Sequence, residues 1–195
     1  MTSMPAKAPG APAQTGVWVG IAAITMSFAA YSSALIIRQG ANPDWQHFTL
    51  PRILLFNTLV VLTSSATMYV ARPRSRATVD RSGTVTAIDA PHLTWLYLTI
   101  SLGFLFLAGQ LLAWRNLVDQ GLTLASSPSS SFFYLLTAMH GLHLLGGLAG
   151  LLYVVYRVRR SSAERAVRAY KAASLYWHFM TVLWLYLFAM LAARI

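Results

Sequence analysis

The chain has 195 residues, 56% of them hydrophobic and 10% charged, with a mean hydropathy of +0.55. A soluble domain has about a quarter of its residues charged, so too few polar groups are present to cover a globule in water, and lipid must cover part of the surface. Net charge is +10, from 15 Lys and Arg against 5 Asp and Glu, and the absence of cysteine excludes disulfides, thiolate metal sites and cysteine catalysis.

The opening stretch MTSMPAKAPGAPAQTG is rich in Pro and Ala, and residues 1–15 are predicted to be a disordered tail ahead of a single membrane domain over 16–195. A bilayer crossing takes roughly 20 predominantly apolar residues. Five runs meet that length, Val17–Ile37, Ile53–Ala71, Leu93–Trp114, Phe132–Tyr156 and Ala172–Ala193. The apolar core of the first is longer than the roughly 7–15 residues of a signal peptide, and it reads as a retained span. The predicted fold is all-α, a polytopic bundle of five transmembrane helices. Of the connecting segments, DWQHFTLP puts Trp45 at an interface, SSPSSS leads to an N-cap for the fourth helix, and RVRRSSAERAVRAYK is expected to be a loop.

Basic residues set the orientation. Lys7, Arg72, Arg74, Arg76, Arg81, Arg157, Arg159, Arg160, Arg165, Arg168 and Lys171, 11 in all, fall on the N-terminal side, against 4 on the other, Arg38, Arg52, Arg115 and Arg194. Positive charge stays inside, so the N-terminus is expected in the cytoplasm and the C-terminus outside. The same clustering reads as a headgroup and topology signal rather than a nucleic-acid site.

Polar groups within the spans narrow the chemistry. Asp44, Asp80, Asp89, Asp119 and Glu164 all lie in predicted loops, so no span carries the acids that a proton relay needs. His140 and His143 lie in the fourth run and His178 in the fifth, with His47 and His92 near span ends. A haem takes two axial nitrogens, normally from different helices. At about 1.5 Å of rise per residue, His143 lies about 20 Å from Tyr156 and His178 about 9 Å from Ala172, a mismatch of roughly 10 Å. No carboxylate or thiolate is available in the spans to complete a metal shell. At about 100° per residue, His140, His143, Gly147 and Gly150 form one stripe, and Gly146 and Gly150 make a small-xxx-small pair. Glycines let helix backbones approach and a histidine can hydrogen-bond across the contact, so the stripe reads as a packing seam.

Taken in order, the motifs resemble subunit III of the haem-copper oxidases, in the five-span form common in bacteria. FFYLLTAMHGLHLLGG resembles the family signature of an aromatic pair, a Thr, His-Gly-x-His and glycines; YWHFMTVLW resembles its last-helix motif and LGFLFLAGQLLAWRNLVDQG its central helix. VWVGIAAITMSFAAYSSALIIR and LPRILLFNTLVVLTSS follow the family order, and the resemblance covers nearly the whole chain beyond Gly16. It implies a subunit without catalytic, cofactor or metal residues in a complex that reduces O2 to water and pumps protons in aerobic respiration. Haem and copper are expected in partner subunits I and II, which also meet the electron donor, cytochrome c or quinol. Phospholipid is a further implied partner, and the bacterial cytoplasmic membrane the implied location. His140, His143, Gly147, Gly150, Tyr176, Trp177, His178 and Trp184 are assigned to packing, lipid or subunit contact. Three family carboxylates are missing, at Ile24, Ala113 and Thr181, and no proton-antenna role is carried over. The alternatives are an accessory subunit of a nitric-oxide reductase and a small b-type membrane cytochrome.

Overall fold

A computed structural model describes residues 12–41, 45, 47–72, 90–160 and 163–195, without the side chains of 12–14, 90–92 and 163–164. The described residues form five helices, α1 (Pro12–Ala41), α2 (Ile53–Val70), α3 (Ala90–Asp119), α4 (Pro128–Arg160) and α5 (Ala163–Arg194). All five are long and apolar enough to cross a membrane. The segment RPRSRATVDRSGTVTAIDAPH falls mostly outside the described residues, as does the tail up to position 11; α1 is already helical at Pro12.

Four of the five helices, all but α2, are longer than the apolar runs. RVRRSSAERAVRAYK is not a loop: α4 continues to Arg160 and α5 begins at Ala163. Arg, Ala and Glu are good helix formers, and beyond the lipid a helix needs no apolar side chains, so hydropathy alone marks these ends too early. The start of α4 is set by Ser127, whose hydroxyl accepts from the Ser130 amide at 3.2 Å, while the Ser130 hydroxyl accepts in return from the Ser127 amide at 3.2 Å. This is the reciprocal N-terminal cap, with Pro128 at the first helical position, where its missing N–H costs nothing. At the end of α3 the Leu122 amide donates to Leu117 O at 2.9 Å and the Gly121 amide to Val118 O at 2.9 Å. That Schellman closure needs a left-handed residue, supplied by Gly121 at φ 80°.

Helices α2, α3, α4 and α5 close a ring in which each packs on the next, α2 on α3, α3 on α4, α4 on α5 and α5 on α2. Across the ring, α3 and α5 do not approach at the backbone, and Trp177 and Trp184 of α5 fill the space between them. Helix α1 lies outside the ring, against α4 and α5 alone. Three of its hydroxyls need no neighbour: Thr25, Ser27 and Ser32 bond to the carbonyls of Ile21, Ala23 and Phe28, at 2.8, 3.0 and 2.7 Å. The α1–α2 connection is tied to the end of α5, with Trp45 Nε1 donating to Arg194 O at 3.0 Å and the Phe48 amide to Ile195 O at 3.1 Å.

Candidate functional site

The side chains singled out in the sequence lie mainly where α4 meets α5. Gly147 makes that approach possible, because a Cβ there would lie 3.1 Å from Tyr176 Cε1 and 3.3 Å from Trp177 Cε3. Tyr176 also donates its hydroxyl to His143 O at 3.0 Å, a second tie between the helices. Gly150 differs, since a Cβ there meets nothing within 4 Å. The intramolecular seam is therefore centred on Gly147 and does not reach Gly150.

The three histidines turn to three different neighbours. His143 Nδ1 bonds Met139 O at 2.6 Å, and its ring lies edge-on to Phe28 of α1, with centroids 5.8 Å apart. His178 Nδ1 bonds Ser65 Oγ of α2 at 2.6 Å. His140 faces the ring interior, fully buried, with centroids 5.8 Å from Phe106 and 5.2 Å from Trp184. The depth mismatch of roughly 10 Å between His143 and His178 is not found. The sequence-based count starts at Tyr156 and Ala172, whereas the helices run to Arg160 and from Ala163. Counted from those ends, the two rings lie about 25 and 22 Å deep, nearly level. They are separated sideways instead, one toward α1 and the other toward α2, which do not touch. His47 lies in the α1–α2 connection with Nδ1 3.1 Å from Ile195 O, and the side chain of His92 is outside the described residues.

Trp177 and Trp184 are almost completely buried. Their indole N–H groups donate to Ser64 Oγ and Thr58 Oγ1 of α2, each at 3.1 Å. Ser64 passes its own proton to Thr99 O of α3 at 3.2 Å, and Thr67 Oγ1 lies 2.9 Å from Thr99 Oγ1. These acceptors escape a reading of the sequence that weighs only acids and histidines. Two glycines escape it as well. A Cβ at Gly103 would lie 2.8 Å from both Leu148 Cδ2 and Trp177 Cη2, and the side chain of Asn57 fills the place of a Cβ at Gly109. Glycine inside a helix costs about 1 kcal/mol relative to alanine, so each mid-span glycine signals a close neighbour in the way Gly147 does.

At the three positions where the resemblance implies carboxylates, Ile24 and Ala113 are buried apolar side chains, and Thr181 is buried with its hydroxyl on Trp177 O at 3.2 Å. Among the described residues, no three His, Asp or Glu side chains gather. At the end of the bundle where α1 and α5 begin and α2 ends, a groove of about 520 Å³ is lined by Trp18, Arg72, Val167, Tyr170, Lys171, Ser174, Leu175 and His178. It sets two cations and two hydroxyls above apolar walls.

Residues 22–193 match the family model described as Cytochrome c oxidase subunit III. The chain is 37% identical over 96 residues to a probable cytochrome c oxidase subunit 3 of Nocardia farcinica, covering 49% of this chain and 47% of that protein. It is 30% identical over 179 residues to cytochrome c oxidase subunit 3 of Synechocystis sp., covering 89% and 72%. To the Corynebacterium diphtheriae protein of that name it is 32% identical over 152 residues, covering 75% and 69%. The match thus spans about half the length of the Nocardia relative and a larger share of the other two. A five-helix chain matched from its first span to its last belongs to the cytochrome c oxidase subunit III family, whose members carry no catalytic metal centre of their own.

Proposed function

We propose that the chain is the non-catalytic subunit III of a haem-copper terminal oxidase in aerobic respiration. In this reading it forms one membrane domain over 16–195, packs on the catalytic subunit and stabilises it while the complex reduces O2 to water and pumps protons. It lies in the bacterial cytoplasmic membrane with its N-terminus inside, the orientation favoured by the clustering of basic residues. Subunits I and II are its neighbours and hold the haem and copper; cytochrome c or quinol delivers electrons to them. The observation that carries the reading is the family match through residues 22–193. His140, His143, Gly147, Tyr176, Trp177, His178 and Trp184 serve packing, and Gly150, open on this chain's own surface, serves lipid or subunit contact.

The groove beside Arg72 and Lys171 supports phospholipid binding. A phosphate accepts from a guanidinium and an ammonium, Ser174 adds a hydroxyl at the same level, and Trp18 and Leu175 supply an apolar wall for an acyl chain. Purification through an affinity tag on this chain tests the assignment. A co-eluting large subunit with haem and O2 uptake is expected; a haem-free eluate, or haem in stoichiometric amount on this chain alone, overturns it. For the lipid, Arg72→Ala with Lys171→Ala is expected to lower the phospholipid that co-purifies, and an unchanged lipid content removes the groove from the proposal.

A further inference from the structure

Among the described residues, three buried polar side chains have no partner for any of their side-chain polar atoms: Asn57 on α2, Gln110 on α3 and His140 on α4. Asn57 and His140 are 0% exposed and Gln110 is 3% exposed. Buried polar atoms in folded proteins nearly always have a partner, in protein or in ordered water, and inside a membrane the alternative is expensive. Three such residues in one small bundle call for an explanation.

They share one level. Asn57 lies against Gly109, the neighbour of Gln110. Trp114 bonds Thr137 at 3.1 Å, and a Cβ on Gly103 would touch Leu148. These two pairs fix the antiparallel register of α3 and α4 and put Gln110 opposite position 141, beside His140. The walls around His140 cannot serve it. Phe106 has no polar atom, and Trp184 has committed its only N–H to Thr58 at 3.1 Å.

We propose that Asn57, Gln110 and His140 hold ordered water inside the helix ring, a buried hydration site at the level where α3 packs between α2 and α4. The chemistry of the side chains selects water over an ion. Each amide offers two N–H donors and a carbonyl acceptor, and a neutral imidazole offers one donor and one acceptor. A cation or an anion uses half of that set and leaves the rest bare, whereas water gives and accepts in both directions. A buried water makes about three hydrogen bonds, so the six orphan atoms call for about two waters. The missing Cβ of Gly109 keeps the Asn57 amide from being crowded out of the site.

A structure of the intact oxidase complex at a resolution that shows ordered water is the first test. Density within about 2.7–3.2 Å of the Gln110 amide and a His140 nitrogen is expected. A Gln110 amide bonded directly to His140, or no density beside either, overturns the proposal. Substitution in the assembled complex gives an independent reading. A dry, orphaned group is relieved by an apolar isostere, so His140→Phe and Gln110→Met would then stabilise. A hydrated site gives the opposite, with each single change lowering the folded-to-unfolded ratio about 5- to 30-fold, and the double change recovering part of the loss. Single variants as stable as the native complex or more so count against the site. The native complex alone decides the first measurement, so the inference stays testable if a variant fails to assemble.

Discussion

At Gly147 a single methyl group would press on two aromatic rings that cannot yield. Tyr176 is held by its bond to His143 O and Trp177 by its bond to Ser64. Gly147→Ala is therefore expected to destabilise by about 1–3 kcal/mol, the usual cost of overpacking. Gly150→Ala has open space and is expected to be neutral or to gain up to about 1 kcal/mol of helix propensity. Thermal denaturation of the two variants in the purified complex checks the contrast, and equal losses would remove Gly147 as the centre of the seam. Ala113 is 0% exposed, so placing a carboxylate there as Ala113→Glu is expected to cost about 2.5–3.5 kcal/mol. The measurable outcome is loss of this subunit from the isolated complex. Gly147 could be read from the sequence because it shares a stripe with two histidines. Asn57 and Gln110 could not, because one polar residue in an apolar run gives no direction, and direction depends on which helix stands beside it.

Helix ends follow other rules than helix middles. The start of α4 was legible in part: the serine-rich segment does hold the cap, Ser127, but the helix begins at Pro128, inside that segment and four residues ahead of the apolar run at Phe132. Ser127→Ala is expected to cost about 1 kcal/mol and to speed amide exchange at Ser130 and Ser131. Unchanged exchange there would assign the cap to the neighbouring serines instead. The break between α4 and α5 was not legible, because an Arg-rich segment outside the lipid looks like a loop to any hydropathy scale while its residues favour helix. The consequence reached the chemistry: the misplaced ends produced a false difference in depth between His143 and His178. The rings are kept apart by the side of the helix they occupy, which a count along the chain does not measure.

For the whole molecule, the number of spans was readable from five apolar runs, but the lengths of the helices and their arrangement were not. Each helix is apolar on most of its circumference, so no amphipathic stripe tells which face turns inward. The ring depends on Trp184, which touches Phe106 of α3 and His140 of α4 and bonds Thr58 of α2. Trp184→Phe removes the hydrogen bond, worth about 0.6 kcal/mol and at most ~1.7, and also part of the ring volume, so it is expected to cost more than the bond alone and less than truncation to alanine. Trp184→Ala empties the centre and is expected to cost about 3–5 kcal/mol, read as release of the subunit at lower detergent or temperature. Helix α1, outside that ring, meets α4 and α5 alone among the described helices, and both are made well after it. Synthesis at about 5–20 residues per second leaves α1 in the bilayer on the order of ten seconds before either arrives. During that wait a hydroxyl seeking a partner could capture the wrong helix. Thr25, Ser27 and Ser32 seek none, since each bonds a carbonyl four residues back in its own helix. These three side chains of α1 are thus satisfied within their own helix, and mispairing through them is avoided during biogenesis.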